Sequence, residues 1–539
     1  MPPEIDANSN QDLGLEFPDE DFRRAHAAMD AKNFAACVEI CQGIQDRGTL
    51  HPVLDYMMGV SLFQLGQREV GTAMIGKAAQ SQPDNLLLRI DHANSLAGIG
   101  LIGPATQCLI DGIRVHGPHP EITLRLSRFF TDSGQHHKAQ LLLVSAIQAN
   151  PTRVDLCCLL AAELAADLKA NEAITLMELS SFLCGDNPGI HSSLAVLEQA
   201  RGNLDQAIRH YERTIELAPD HAIAHANLST ALLTRNEFER SFKEAEWRLK
   251  TTNMRVADVD APRWTGEVLE GKRLFITGEQ GFGDMLQYCR FLSRLQGLGA
   301  HITVECHNGL ERLFKALPGV SEVTTIIEEP VFPPCDYTIP MVSLPLVVGC
   351  DEGWLRATVP YIPTPAPMKL KGHGLKVGLT WASRPAHGEI FARRMLDRRT
   401  CSIEQVALLA EIEGLDLFSL QKGDATLQLK GLPLPITDLS PRLGDFQDTA
   451  AAIAALDLVV TVDTSVAHLA GALGKCVWIL LPVRSDWRWV TDRDDSPWYP
   501  GATLFRQKVE GDWGPVITSV AAKLACLAAD ISARPPSVP

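Results

Sequence analysis

Two short segments bring together residue types that could hold an anion and move a proton. The first runs from Arg273 to Asp284, RLFITGEQGFGD, and continues directly into MLQYCRFLSRL. Leu274, Phe275 and Ile276 form an apolar run of strand type, Gly278, Gly281 and Gly283 free the backbone for a tight turn, and an apolar-periodic segment then opens a helix. In an open α/β sheet such a loop sits at the carboxyl end of a strand, where ligands bind. The free N–H groups of the following helix favour phosphate or carboxylate there. Asp284 falls in the first helical turn. A carboxylate in that place complements the helix dipole, and at the mouth of a cleft the same group is placed to act as a general base.

The second segment reads as a buried strand from Leu456 to Asp463. Asp463, Thr464 and Ser465 are all N-cap formers, and a helix from Val466 to Leu473, closed by Gly474, follows them. First-turn N–H groups, two hydroxyls and His468 would converge on an anion, and a diphosphate fits. The plainer reading is a βα junction in which Thr464 and Ser465 only cap the helix and His468 is a satisfied core histidine.

Both segments need a sheet to position them, and the surrounding sequence supplies the strands. His301 to Val304 is a second strand, Cys335-Asp336-Tyr337 ends an apolar approach, and Met341 to Pro345 follows as a loop. A proline-rich bridge, Tyr361 to Pro367, then reads as a hinge before a new strand, Leu375 to Trp381. Leu415 to Leu420 and Val477 to Leu481 are further apolar runs of strand length. Two α/β units joined by a linker make a ligand cleft between them the default expectation.

The first half is a repeat. At a spacing of 34, Cys37, Gly71, Ala105, Ala139, Ala173, Ala207 and Ser241 are all small. Five residues earlier in each unit stand Lys32, Gly66, Gly100, Gly134, Leu168, Gly202 and Asn236, and Pro83, Pro151 and Pro219 close units. Paired antiparallel helices need a small residue where they approach, glycine at the turn and proline after the second helix.

Composition narrows the remaining classes. A chain of 539 residues needs two or three domains, and 46% hydrophobic residues are enough to fill them. The formal net charge of -16 argues against a general nucleic-acid binder, which would cluster Lys and Arg. No stretch offers about 18 uninterrupted apolar residues, so no transmembrane segment is expected, and the polar, acidic N-terminus does not read as a signal peptide. A cytoplasmic location is the expectation. The 13 cysteines carry no CxxC pair and fit packed, reduced thiols; Cys306 and His307 point to opposite strand faces and make a poor metal pair. Asp492-Arg493-Asp494 is expected to face solvent rather than bind a cation. Gly278-x-x-Gly281-x-Gly283 has the wrong spacing for the dinucleotide fingerprint GxGxxG, which weighs against an oxidoreductase.

The repeated units resemble tetratricopeptide (TPR) repeats. Gly283-Asp284-Met285-Leu286, together with Asp463-Thr464-Ser465-Val466-Ala467-His468-Leu469-Ala470 and Gly474, resembles the heptosyltransferase-type glycosyltransferases of the GT-B fold. The likeness extends to Tyr337 to Pro345, Ser419 to Gly423 and Trp487-Arg488-Trp489, and is closer to bacterial proteins in which a TPR array precedes such a transferase, flagellin glycosyltransferases among them. It implies a TPR helical solenoid followed by a two-domain GT-B region with two Rossmann-like domains. The expected boundaries are a tail at 1–20, TPR repeats at 21–250, a connector at 251–270, an acceptor domain at 271–367, a nucleotide-sugar domain at 368–525 and a tail at 526–539. It further implies transfer of a sugar from a nucleotide-sugar, which is a substrate, to a hydroxyl of a protein acceptor held in the TPR groove, without cofactor or metal. Asp284 would be the base. The donor would be bound by Gly283, Gln287, Trp381, Gln421, Asp463, Thr464, Ser465 and His468, helped by Lys422 and by Arg384 or Arg398. The alternatives are a transferase acting on lipopolysaccharide or another glycan precursor, and a non-enzymatic scaffold with a degenerate transferase domain.

Overall fold

The computed structural model describes residues 20–251, 255–279, 281–327, 331–383, 398–430, 434–491 and 493–532. The chain divides into two compact units, one up to Ser193 and one from Leu194 onward.

The first unit is built of antiparallel helix pairs, Glu20–Asp30 with Phe34–Asp46, Pro52–Gln64 with Arg68–Ser81, and so on through Val154–Ala166 with Ala170–Cys184. The repeat arithmetic is realised in the backbone. Every turn position is left-handed, including the glycines 66, 100, 134 and 202 and the non-glycines Lys32, Leu168 and Asn236, at φ 56°, 64° and 60°. The small residues lie at the helix crossings, and Cys37, Ala105, Ala139, Ala173 and Ala207 are completely buried. At Gly71 the approach is closest: a Cβ there would come within 2.5 Å of the Gly59 carbonyl oxygen, which explains glycine where alanine is usual. This is a TPR-like helical solenoid, and a parallel-sheet α/β region follows it.

The second unit begins with the last helices of the repeat array, Leu204–Leu217, Ala222–Thr234 and Phe238–Ala245, and a 3-10 turn, Glu246–Lys250. Two parallel sheets come next. The first contains β1 (Arg273–Thr277), β2 (His301–Cys306), β3 (Glu322–Thr325) and β4 (Tyr337–Pro340) in the order β3-β2-β1-β4. The second contains β5 (Leu375–Thr380), β6 (Leu415–Ser419), β7 (Ile436–Asp438), β8 (Leu458–Val462), β9 (Val477–Leu481) and β10 (Ala502–Arg506) in the order β10-β9-β8-β5-β6-β7. The order reverses between β1 and β4 in one sheet and between β5 and β8 in the other. Those are the topological switch points at which open sheets leave a crevice beyond the strand ends, and the loops after β1 and β8 are the two segments singled out by their chemistry.

Some expectations need correction. Met341 to Pro345 is not a loop but a 3-10 turn, Met341–Ser343, leading into a helix, Leu344–Val348, whose first turn accommodates Pro345 because no N–H is needed there. β3, β7 and β10 were not anticipated; EVTT and ITD are short and carry no apolar run. The helix after β8 is Ser465–Ala472, one residue earlier than its apolar pattern suggests. Among the described residues no helix is long and apolar enough to cross a membrane.

The last helices of the array share a core with the first sheet. Leu233, Phe238 and Phe242 belong to the same buried cluster as Phe291 and Trp498, with edge-to-face ring contacts at 6.0 Å (Phe238 to Trp498) and 6.4 Å (Phe242 to Phe291). Arg248 is buried and donates through Nε and Nη2 to both carboxylate oxygens of Glu279, at 3.0 and 2.5 Å, and through Nη2 to Ser343 Oγ at 2.9 Å. Glu279 also accepts from the Val342 N–H at 3.1 Å. The glycine-rich loop is thus anchored to the array by a buried ion pair.

Candidate functional site

The three glycines after β1 serve a different purpose from the one expected. None of Gly278, Gly281 and Gly283 has a positive φ, so the turn does not need glycine for its backbone angles. Two of them are there for closeness. A Cβ on Gly278 would lie 2.8 Å from the Glu305 carbonyl oxygen, and one on Gly283 would lie 2.8 Å from Cδ2 and 3.2 Å from Nε2 of His468. Gly278 is further pinned by its N–H, which donates to Glu305 at 2.9 Å, while Arg255 pairs with the same carboxylate at 2.7 and 2.8 Å.

Gly283 against His468 means that the helix Phe282–Tyr288, at the switch point of the first sheet, packs on the helix Ser465–Ala472, at the switch point of the second. Asp284 stands at this junction. It accepts from the Gly281 N–H at 3.0 Å, which is the only half of a capping box open to it because glycine has no side chain to return the bond. Its other oxygen accepts from Arg488.

Arg488 is the residue that sequence reasoning noted only as part of a motif. It is buried, and donates to Asp284 through Nη2, to Gln287 Oε1 through Nε and to Asp486 Oδ1 through Nη1 at 2.8 Å. Arg399 continues the series, 3.6 Å from Asp486 and 3.0 Å from Asp463. Five groups of alternating sign, Asp284, Arg488, Asp486, Arg399 and Asp463, therefore run from the first switch point to the second. Burial alone would raise Asp486, but Arg488 and Arg399 hold it below the usual carboxylate range. Asp463 goes the other way: burial raises its carboxyl despite Arg399. Arg488 is raised because Asp486 and Asp284 outweigh its own burial.

His468 is a core histidine in its environment. Nδ1 lies 2.8 Å from the Tyr499 hydroxyl, and its ring stacks on Trp489 at 5.4 Å. Burial, reinforced by the Arg488 and Arg399 guanidiniums, pushes its pKa down to about 3, so it is neutral at pH 7. It can shape an anion site or donate one N–H, but it brings no charge.

The other expected residues fall into three groups. Thr464 and Ser465 are half-buried at the start of the helix; Thr464 is the N-cap residue, yet its hydroxyl meets Thr461 Oγ1 at 3.1 Å instead of capping. Trp381, Gln421 and Gln287 act as buried braces. Gln421 accepts from the N–H groups of Trp381 and Ala382 at 3.1 and 3.0 Å and donates to the Ala382 carbonyl, and the Trp381 indole donates to Gln428 at 2.7 Å. Gln287 holds Arg488, while its Nε2 has no hydrogen-bond partner among the described residues. The cations are dispersed. Lys422 donates to the carbonyls of Ser440 and Leu443 at 3.1 and 2.7 Å, Arg398 lies 3.8 Å from Glu510, and Arg384 lies outside the described residues. Arg484 was not foreseen; burial and the neighbouring Arg398 depress its guanidinium.

A second buried arginine ties the end of the helix Phe282–Tyr288 to segments far along the chain. Arg290 is fully enclosed and donates to the carbonyls of Gln287, Leu355 and Trp498 and to the Tyr361 hydroxyl at 3.0 to 3.3 Å, with its guanidinium 4.4 Å above the Tyr361 ring. The surface depression bordered by Arg290, Gln296, Pro318 and Tyr361 includes none of Asp284, Asp463 or His468 and is not the site. Among the described residues no group of three His, Cys, Asp or Glu side chains could hold a metal ion. Arg493 pairs with Asp495 and Glu352.

No protein-family model matches the chain. A curated relative, Protein FlbA of Caulobacter vibrioides, is 25% identical over 397 residues, covering 61% of this chain; the match spans 65% of the relative's own length. Solved structures similar to part of this chain include two TPR proteins. A thermophilic TPR protein of Thermus thermophilus is 21% identical over 34% of this chain and 100% of its own, with a TM-score of 0.29. A TPR protein of Parabacteroides merdae is 12% identical over 43% of this chain and 93% of its own, with a TM-score of 0.38. At that similarity neither bears on the chemistry of the α/β region.

Proposed function

We propose that the chain is a GT-B glycosyltransferase that moves a sugar from a nucleotide-sugar to a hydroxyl of a protein acceptor recruited by the TPR-like array. The observation that carries the reading is the meeting of two switch-point loops, one bearing a carboxylate and the other a helix start with two hydroxyls, joined by the buried Arg488 and the half-buried Arg399. In the reaction Asp284 takes the proton of the acceptor hydroxyl as its oxygen attacks the anomeric carbon. The bond from that carbon to the phosphate oxygen breaks, and the nucleotide leaves with the electron pair. The leaving phosphate rests on the N–H groups and hydroxyls at Thr464 and Ser465, with Arg399 and Arg488 close by. Flagellin is one acceptor that the sequence resemblance suggests, and a cytoplasmic setting fits a nucleotide-sugar substrate.

Thermal unfolding with UDP, ADP, GDP and CMP compounds tests the donor half of this reading. A ligand that binds only the folded state at 100 times its Kd stabilises by roughly 2.7 kcal/mol, so one nucleotide class should raise Tm clearly. Ser465→Ala combined with His468→Ala should abolish the shift. No shift from any nucleotide at millimolar concentration would favour a scaffold over an enzyme.

A further inference from the structure

Asp284 accepts from the buried Arg488 guanidinium, which is a poor condition for a base. An arginine donating to a carboxylate oxygen occupies a lone pair that the acceptor proton must reach. Arg488 has two carboxylate partners, Asp284 and Asp486, and both Arg488 and Arg399 bear electrostatically on His468 in the helix that starts at Ser465. The series Asp284, Arg488, Asp486, Arg399 and Asp463 holds three carboxylates and two guanidiniums, an excess of one negative charge. A diphosphate seated at Thr464 and Ser465 would bring oxyanions that compete electrostatically with these carboxylates for the two guanidiniums.

We propose that Arg488 is a positioning residue that senses the donor: it holds Asp284 while the site is free, and a bound nucleoside diphosphate group draws it away, releasing the carboxylate to the acceptor. The inference rests on the transferase reading. Asp284 is the partner more readily released, because Asp486 is also fixed by its position two residues before Arg488, where it accepts both Nη1 and the Arg488 backbone N–H. Donor therefore binds before the base is competent, which suppresses proton removal when no sugar is in place. The same geometry makes Asp284 an antagonist of nucleotide binding, since it competes for Arg488 and repels the phosphate.

Isothermal titration of the full chain with UDP, GDP, ADP and CDP decides the matter. Asp284→Asn should bind the preferred diphosphate about 3- to 10-fold more tightly than wild type, and Arg488→Gln about 10- to 100-fold more weakly, the loss of one or two charge-assisted hydrogen bonds. In the Arg488→Gln background, Asp284→Asn should bring a clearly smaller gain, because only the repulsion of the phosphate is then relieved. If Arg488→Gln does not fold, Arg488→Lys serves, with a smaller loss because an ammonium cannot span both partners. Equal or weaker affinity of Asp284→Asn relative to wild type, with wild type binding, overturns this inference and leaves the transferase reading standing. Failure of all four diphosphates to bind wild type overturns this inference, and failure of CMP as well overturns the transferase reading.

Discussion

Gly283→Ala is the substitution that most sharply probes the junction of the two switch points. The new methyl would sit 2.8 Å from Cδ2 of His468, against a comfortable carbon-to-carbon distance of about 3.5 to 4.0 Å. The ring cannot swing aside cheaply, because it is stacked on Trp489 and bonded to Tyr499. Overpacking of this kind costs about 1–3 kcal/mol, while alanine in place of glycine within a helix returns about 1 kcal/mol. The net effect is a destabilisation of about 0–2 kcal/mol. In a His468→Ala background the clash disappears, and the same substitution should stabilise by up to about 1 kcal/mol. The coupling energy is then about 1–3 kcal/mol, well above the ~0.5 kcal/mol scatter of independent sites. Urea unfolding followed by tryptophan fluorescence is the right assay, since all nine tryptophans lie at or beyond Trp247 and report only on the unit from Leu194 onward. Equal effects of Gly283→Ala in both backgrounds would show that the two helices do not meet at this pair and would refute the reasoning.

Two further predictions follow from buried charge. His468 has its pKa pushed down to about 3, so the folded state refuses a proton that the unfolded chain accepts below its ordinary pKa of 6.5. Its contribution to stability is complete above pH 6.5 and is lost at about 1.4 kcal/mol per unit as pH falls toward 3. His468→Gln should flatten the pH dependence of urea midpoints in that window, and an unchanged slope would contradict the burial. A chain beginning at Arg255 should be insoluble or lack a cooperative transition by circular dichroism, because it strips the Leu233, Phe238 and Phe242 side of the core and leaves Glu279 buried without Arg248. The unpaired carboxylate alone costs about 3–5 kcal/mol. A chain beginning at Pro188, which keeps those helices, should fold; a well-folded product starting at Arg255 would contradict the shared core.

What could be read from the sequence was what is local. The spacing of 34 captured the helix pairs because turn glycines and crossing residues act within one repeat, and even Leu168 keeps the left-handed turn that its neighbours reach with glycine. Apolar runs located β1, β2, β5, β6, β8 and β9, whereas β3 and β7 gain their strand conformation from a neighbouring strand and carry no pattern of their own. At the site, Asp284 and the Asp463 to His468 segment were legible as strand-end residues. Their partner Arg488 was not, since 204 positions separate it from Asp284. One signal was present: Trp487-Arg488-Trp489 follows β9, so an arginine flanked by two large aromatic rings at a strand's carboxyl end was a candidate for enclosure beside the ligand crevice. The glycines were found for the wrong reason, because closeness to Glu305 and His468 depends on segments that periodicity does not connect.

The central claim is that Asp284 deprotonates a protein hydroxyl during sugar transfer. Intact-protein mass spectrometry of cells lacking the gene, complemented either with the wild-type chain or with Asp284→Asn at equal abundance, tests it most directly. Wild type should restore glycosyl mass increments on an acceptor protein. Asp284→Asn should leave them absent or strongly reduced, in line with the roughly 10²- to 10⁴-fold contribution of a general base. Restoration of the same increments by Asp284→Asn at the wild-type rate, or no difference in glycosylation between cells with and without the gene, would contradict the account.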